Sequence, residues 1–329
     1  MTDVGRQELD RAVHQGSLST EAGPLVARIV EVLPVVPERT ALLEFLGHVA
    51  ARASSFQADP LTVDYVRRDD PELPFYEVVW EPDHAPDHVV VSRLGSACAA
   101  RAGVVLPALV PWLDAADPHE RRAALYATAS WAALAGGGVP DQALHHLWTG
   151  ARDHGAEARV HCVLGLAGAG ADTAELLTDP SRVVRACAAL SPAVATDPRT
   201  LPVLTAALAD PADCDSWIDG HPAPPHAGDE MSALLVEAAT RCTDDFAELL
   251  PIALSVGRAS PACSPDRTWG RLLHAAFPQP PAEPLRGPQR AYLQVLAAND
   301  YFWQISDVER DAVLGEVGLP TDREALRRY

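Results

Sequence analysis

Residues 104–135, VVLPALVPWLDAADPHERRAALYATASWAALA, restrict what this chain can fold into more than any other stretch. Leu106, Leu109, Val110 and Leu113 recur at offsets of three, four and seven, the spacing of one helix face. Asp117-Pro118 then ends that helix and starts another. An aspartate carboxylate caps a first turn, and proline at the first helical position sacrifices no hydrogen bond. In the second helix Ala123, Ala127 and Trp131 fall one turn apart, so it can lie close to its neighbours. Such a helix pair cannot bury its apolar faces alone and needs copies on either side.

The copies are present in degenerate form. Helix pairs are expected at residues 140–153 with 156–167, at 172–177 with 181–190, and again from Pro198 through Leu201, Leu204 and Leu208. Asp117, Asp179 and Asp210 each precede proline at the end of a first helix, and Arg122, Arg159 and Arg185 each stand just inside a second one. The intervals are uneven, so the repeat is degenerate, not strict; helix pairs at a period of roughly 30 to 45 residues are what helical solenoids show. Upstream, Leu25, Ile29 and Val32 mark one helix face and Leu42, Phe45, Leu46 and Val49 another. Downstream, helices are expected at 230–242, 244–256, 265–276, 288–298 and 307–317, with a last capping helix at the end.

The fold class expected is therefore all-α, an α-α superhelix of antiparallel helix pairs with two long irregular loops. It divides into N-terminal helices (1–52), an irregular insertion (53–86), core repeats (87–211), a loop (212–229) and C-terminal helices (230–329). The insertion is rich in proline, with Trp80, Phe75 and Tyr76 among acidic residues, and alternates like a strand only briefly, over 76–79. Loops of this length inside a compact array are often functional.

With the repeats located, the sequence resembles the HEAT-repeat family. DPHERRAAL (117–125) and DPSRVVRACAAL (179–190) are similar to that family's turn and second helix. The flanks resemble a bacterial subgroup through His14-Gln15-Gly16 followed by Glu21-Ala22, through GPQR (287–290), and through GLPTDREAL (318–326). Against that pattern the chain starts late, so a shortened first repeat is expected. The resemblance implies a binding superhelix and supplies no catalytic residues; fold of this kind does not dictate function.

Charge narrows the partners. The formal charge is −19, and all 26 basic residues are arginine. An acidic surface repels phosphate backbones and gathers cations and basic proteins, so nucleic acid is disfavoured and a protein partner, basic if the charge is used, is favoured. An immunity- or regulator-like role against a basic toxin is one such case. At 48% hydrophobic but 6% aromatic, the core is expected to consist mainly of Ala, Leu and Val. The six cysteines form no CxxC pair, which suits buried free thiols in a reducing compartment. No signal pattern opens the chain, no apolar run approaches the roughly 20 residues needed to cross a bilayer, and a cytoplasmic location is expected.

The candidate binding surface comprises Arg122, Tyr126, Arg159, Arg185, Trp217 and Asp219. The arginines would meet an acidic ligand in the groove or, on the structural reading, bond between repeats to hold the stack of turns. Trp217 stands in the loop 213–230, and an aromatic on a protruding loop is a common anchor. No catalytic, cofactor or metal residues are assigned. The metal-capable side chains of that loop (Cys214, Asp215, Asp219, His221, His226, Asp229, Glu230) match no zinc or calcium spacing. His84 and His88 lack a third ligand, the adjacent His145 and His146 point about 100° apart on a helix, and His119-Glu120 occurs once where a di-metal HEAT hydroxylase needs several. Two further readings stand beside the scaffold. A HEAT-like DNA glycosylase would use Trp131, Tyr126, Trp148 and Asp153, against the acidic balance. A small-molecule binder would hold its ligand where the loops close over the groove.

Overall fold

A computed structural model describes residues 13–14, 17–18, 22–54, 63–69, 77–80, 87–92, 98, 100–135, 138–153, 156–217, 231–259, 267–279, 285, 287–304 and 307–329. These residues are mostly helical, and they divide into two compact units, one within Met1–Ala171 and the other within Asp172–Asp219 and Asp229–Tyr329.

The first unit opens with a two-stranded antiparallel pair, β1 (Val13–His14) and β2 (Ser17–Leu18). Helices α1 (Ala22–Val32) and α2 (Thr40–Ser54) follow. The inner face of α1 is Val26, Ile29 and Leu33, whereas Val32, expected on that face, is 40% exposed. The insertion is more regular than the sequence indicates: β3 (Val63–Arg67), β4 (Glu77–Trp80) and β5 (His88–Ser92) form an antiparallel sheet in the order β3-β5-β4. The central strand is β5, in a stretch read as the resumption of helix. Its β-branched run Val89–Val90–Val91 suits a strand better than a helix, and a bulge between Val78 and Trp80 interrupts the register of β4.

Helix α3 (Ala102–Leu109) continues through a short 3-10 turn and meets α4 (Pro118–Ala135) across the Asp117-Pro118 corner. Asp117 Oδ1 accepts from the His119 amide at 2.8 Å, as a capping aspartate should. Leu106, Leu109, Val110 and Leu113 are all buried. Every residue from Ala123 to Ala132 is buried as well, so α4 is enclosed and not amphipathic. Trp131 Nε1 donates to the Leu46 carbonyl of α2 at 2.9 Å. The unit ends with α5 (Asp141–Asp153) and α6 (Ala156–Gly168). A Cβ placed on Gly165 would lie 2.7 Å from Ala129 Cα, and one on Gly168 would lie 2.6 Å from Ala133 Cα. The missing side chains let α6 and α4 run backbone against backbone. Helices α2, α4 and α6 thus pack in chain order, with α4 between the other two. Gly170, at φ 72°, stops α6, and Ala171 N returns to Leu166 O at 2.9 Å.

In the second unit a 3-10 turn (Ala174–Thr178) leads into α7 (Arg182–Ala188), α8 (Thr200–Ala207) and α9 (Pro211–Ser216). Longer helices follow: α10 (Met231–Cys242), α11 (Phe246–Ala259), α12 (Trp269–Ala276), α13 (Gly287–Ala298), α14 (Asp307–Glu316) and the short α15 (Arg323–Leu326). Trp269, Tyr292 and Phe302 are fully buried, with the Tyr292 hydroxyl donating to the Trp269 carbonyl at 2.8 Å and the Phe302 ring edge-on to Trp269. Among the described residues no helix is long and apolar enough to cross a membrane.

One device recurs in both units. An arginine just ahead of or within a second helix donates to a carbonyl near the end of the preceding element: Arg39 to Leu33 at 3.0 Å, Arg121 to Ala115 at 2.7 Å, Arg159 to Ala151 at 2.7 Å and Arg185 to Asp179 at 2.6 Å. The last carbonyls of a helix have no intrahelical donor, and a guanidinium supplies a charged one.

Candidate functional site

Arginine and tryptophan converge in the second unit, in a groove of about 430 Å³ between α7, α8 and α9. Each wall is set by local sequence. Ser181 caps α7, its hydroxyl accepting from Val184 N, and the three-residue spacing of Arg182 and Arg185 puts both on one face. Asp210 caps α9 by accepting from Asp213 N at 3.2 Å, and Pro211 takes the first helical position. Asp213 and Trp217 then stand four residues apart on the same side of α9. Pro202, Val203, Ala206 and Ala207 supply an apolar floor from α8.

The polar groups at the mouth are mutually fixed. Arg182 grips the Asp213 carboxylate with both Nη atoms, at 3.0 and 3.1 Å. The Trp217 indole Nε1 donates to the same carboxylate at 3.0 Å, and the Arg182 guanidinium lies 5.3 Å from the centre of the indole ring. A forked pair of this kind is geometrically specific, and it holds the half-buried ring in one orientation. Further along the same face of α7, Arg185 donates Nη1 to the Asp179 and Pro180 carbonyls at 2.6 and 3.1 Å. Behind α9, Cys214 Sγ donates to the Ala207 carbonyl at 2.9 Å. Burial, reinforced by Asp215, Asp213 and Asp210, pushes the Cys214 thiol up to about 12, so it is a protonated packing group at neutral pH. The groove's lining is thus two guanidinium groups, two carboxylates, an indole and an aliphatic floor.

Of the six residues read from sequence, Arg185 and Trp217 meet in this groove. Trp217 is not on a loop, as expected, but at the C-terminal cap of α9, because residues 211–216 form a helix. Asp219 lies outside the described residues, as do His84, His221, His226, Asp229 and Glu230. Arg122 is exposed on α4 in the first unit. Arg159 Nε donates to the Ala151 carbonyl within its own helix pair. Tyr126 requires a correction: it is 2% exposed and cannot belong to a surface. A Cβ on Gly47 would lie 2.4 Å from its ring, so that glycine opens the slot, and His48 and His161 stand edge-on to it, each with ring centroids 5.6 Å away. Trp131 is likewise enclosed in the core, which leaves a glycosylase reading without two of its aromatics.

Sequence reading missed Arg182 and Asp213. The signal was present in the paired spacings, Arg182 to Arg185 and Asp213 to Trp217, once α7 and α9 are both taken as helices. Among the described residues no group of three or more His, Cys, Asp or Glu side chains is placed to hold a metal ion. No family model, curated protein or solved structure matches this chain.

Proposed function

We propose that this chain is a HEAT-like helical scaffold that works by binding, and that the groove between α7, α8 and α9 takes an apolar side chain of a protein partner. The observation that carries this reading is the Arg182–Asp213–Trp217 clasp, which spends three hydrogen bonds on orienting one indole at the mouth of an apolar groove. Preorganised aromatics beside guanidinium groups are typical binding anchors. The ordered packing of α2, α4 and α6 and the recurring arginine clamps support a serial helix-pair architecture. The charge of −19 selects a basic partner, and free thiols at the five described cysteines fit a reducing, cytoplasmic setting.

Panning a random peptide-display library on the protein tests this. Peptides combining an apolar residue with Arg or Lys should be enriched, with binding to Trp217→Ala reduced at least about tenfold and association slowed by added salt. Enrichment that is indifferent to Trp217→Ala would place the binding surface elsewhere; no enrichment at low salt would end the reading. The groove volume also falls within the range of about 300–1,000 Å³ common for small-molecule sites. A metabolite that raises the melting temperature of wild type and not of Trp217→Ala would favour that alternative.

A further inference from the structure

Arg185, half-buried in the lining of the groove, uses only one side of its guanidinium. Nη1 donates to the Asp179 and Pro180 carbonyls at 2.6 and 3.1 Å, whereas Nε and Nη2 have no acceptor among the described residues. Nε and Nη2 form the edge that meets both oxygens of a carboxylate side-on. The chain uses that edge at Arg199, where Nε donates to Asp197 Oδ1 at 2.9 Å and Nη2 to Asp197 Oδ2 at 2.6 Å. At Arg185 the two neighbouring carbonyls fix the guanidinium plane, and the Asp179 carboxylate accepts from the Ser181 amide at 2.8 Å. The other charges of the lining are placed differently. Both oxygens of Asp213 hold Arg182, and Asp210, exposed at the start of α9, accepts from the Asp213 amide at 3.2 Å. With the Asp210 carboxylate in the same lining, the groove suits a single negative charge better than a multiply charged phosphate.

We propose that the groove receives the C-terminal residue of a partner chain, its terminal carboxylate on the Nε–Nη2 edge of Arg185 and its apolar side chain on the floor of Pro202, Val203 and Ala206. This rests on the reading of the groove as a seat for an apolar residue of a protein. Only at a C-terminus does one residue carry both a carboxylate and an apolar side chain, the two groups that Arg185 and the floor would take. A single terminal charge is also compatible with a partner that is otherwise basic, as the charge of −19 favours, whereas a run of acidic side chains would be repelled.

The test follows the Trp217 indole resonance of the nitrogen-15-labelled full chain, identified by its loss in Trp217→Phe. The probes are N-acetylated Gly-Ser-Arg-Gly-Ser-Xaa peptides ending in Val, Leu, Ile, Met or Phe, each as the free acid and as the C-terminal amide. A peptide ending in Gly and sodium hexanoate complete the set. The best free acid should shift the resonance saturably, with one site per chain, and its amide should bind about tenfold more weakly or worse. Arg185→Gln should bring the acid down to the level of the amide and leave the amide unchanged, a pattern that a misfolded variant cannot produce. Equal binding of acid and amide would overturn the carboxylate assignment while leaving the apolar-residue reading intact. Equal binding of the Gly-terminated acid would remove the apolar contact, and hexanoate binding as tightly as the best peptide would make this a site for free carboxylic acids instead. If no free acid moves Trp217, the terminus assignment fails, and the broader reading is judged separately by peptide panning.

Discussion

The Trp131 indole Nε1 donates to the Leu46 carbonyl at 2.9 Å, and this bond fastens the enclosed helix α4 to α2. Trp131→Phe keeps most of the apolar volume and loses the bond, so it should lower stability by about 1–3 kcal/mol; Trp131→Ala should cost about 3–5 kcal/mol. Urea unfolding followed by circular dichroism reads both. An unshifted midpoint for Trp131→Ala would contradict its place in the core.

The seam between α4 and α6 tolerates no side chain at Gly165 or Gly168, where a Cβ would fall 2.7 and 2.6 Å from backbone Cα atoms. Gly165→Val and Gly168→Val should each destabilise by about 1–3 kcal/mol or more, since neither obstacle is a flexible side chain. The double variant should lose less than the sum, because one displacement of α6 relieves both clashes. Strict additivity in thermal unfolding would mean the two positions do not share a rigid helix.

Arg121 and Arg122 are adjacent but differ in role. Arg121 donates to the Ala115 carbonyl at 2.7 Å, whereas Arg122 is exposed. Arg121→Ala should cost about 1–2 kcal/mol and Arg122→Ala less than about 0.5 kcal/mol. Equal losses in chemical denaturation would place the clamp on the wrong residue.

Asp197 is held by Arg199, whose Nε and Nη2 donate at 2.9 and 2.6 Å, and whose amide donates at 2.9 Å. The Arg199 side-chain bonds lower the Asp197 carboxyl from 3.8 to about 2, with the backbone bond adding to the effect. The folded value is depressed, so the pair contributes fully above pH 3.8, and that contribution is lost as pH falls through about 2. A carbon-13 carboxyl titration should place Asp197 near the lower figure in wild type and return it toward the ordinary range in Arg199→Gln. A wild-type midpoint near 4 would show that the pair does not persist in solution.

Helix periodicity made the helical character of the chain legible in its sequence. Leu106, Leu109, Val110 and Leu113 form the buried face their spacing indicates, and the aspartates ahead of proline cap as capping chemistry requires. The strands β3, β4 and β5 were harder to see because their pairing is long-range: β3 and β4 meet only through β5, and no local pattern announces that arrangement. Arg121, which bonds the Ala115 carbonyl, went unremarked beside Arg122 because two consecutive arginines look alike until the helix phase is fixed to a residue. Tyr126 was taken for a surface residue because its concealment depends on Gly47, far away in sequence. The groove was half legible, through Arg185 and Trp217. Arg182 and Asp213 became meaningful only when α7 and α9 were brought face to face.

Helix α4, buried over ten consecutive residues, has a consequence for experiments on the first unit. Its amides can reach deuterated solvent only when neighbouring helices come apart, so they should be among the slowest to exchange in that unit. Their protection would then gauge the opening of the whole unit, while peptides from the outer helices report fraying.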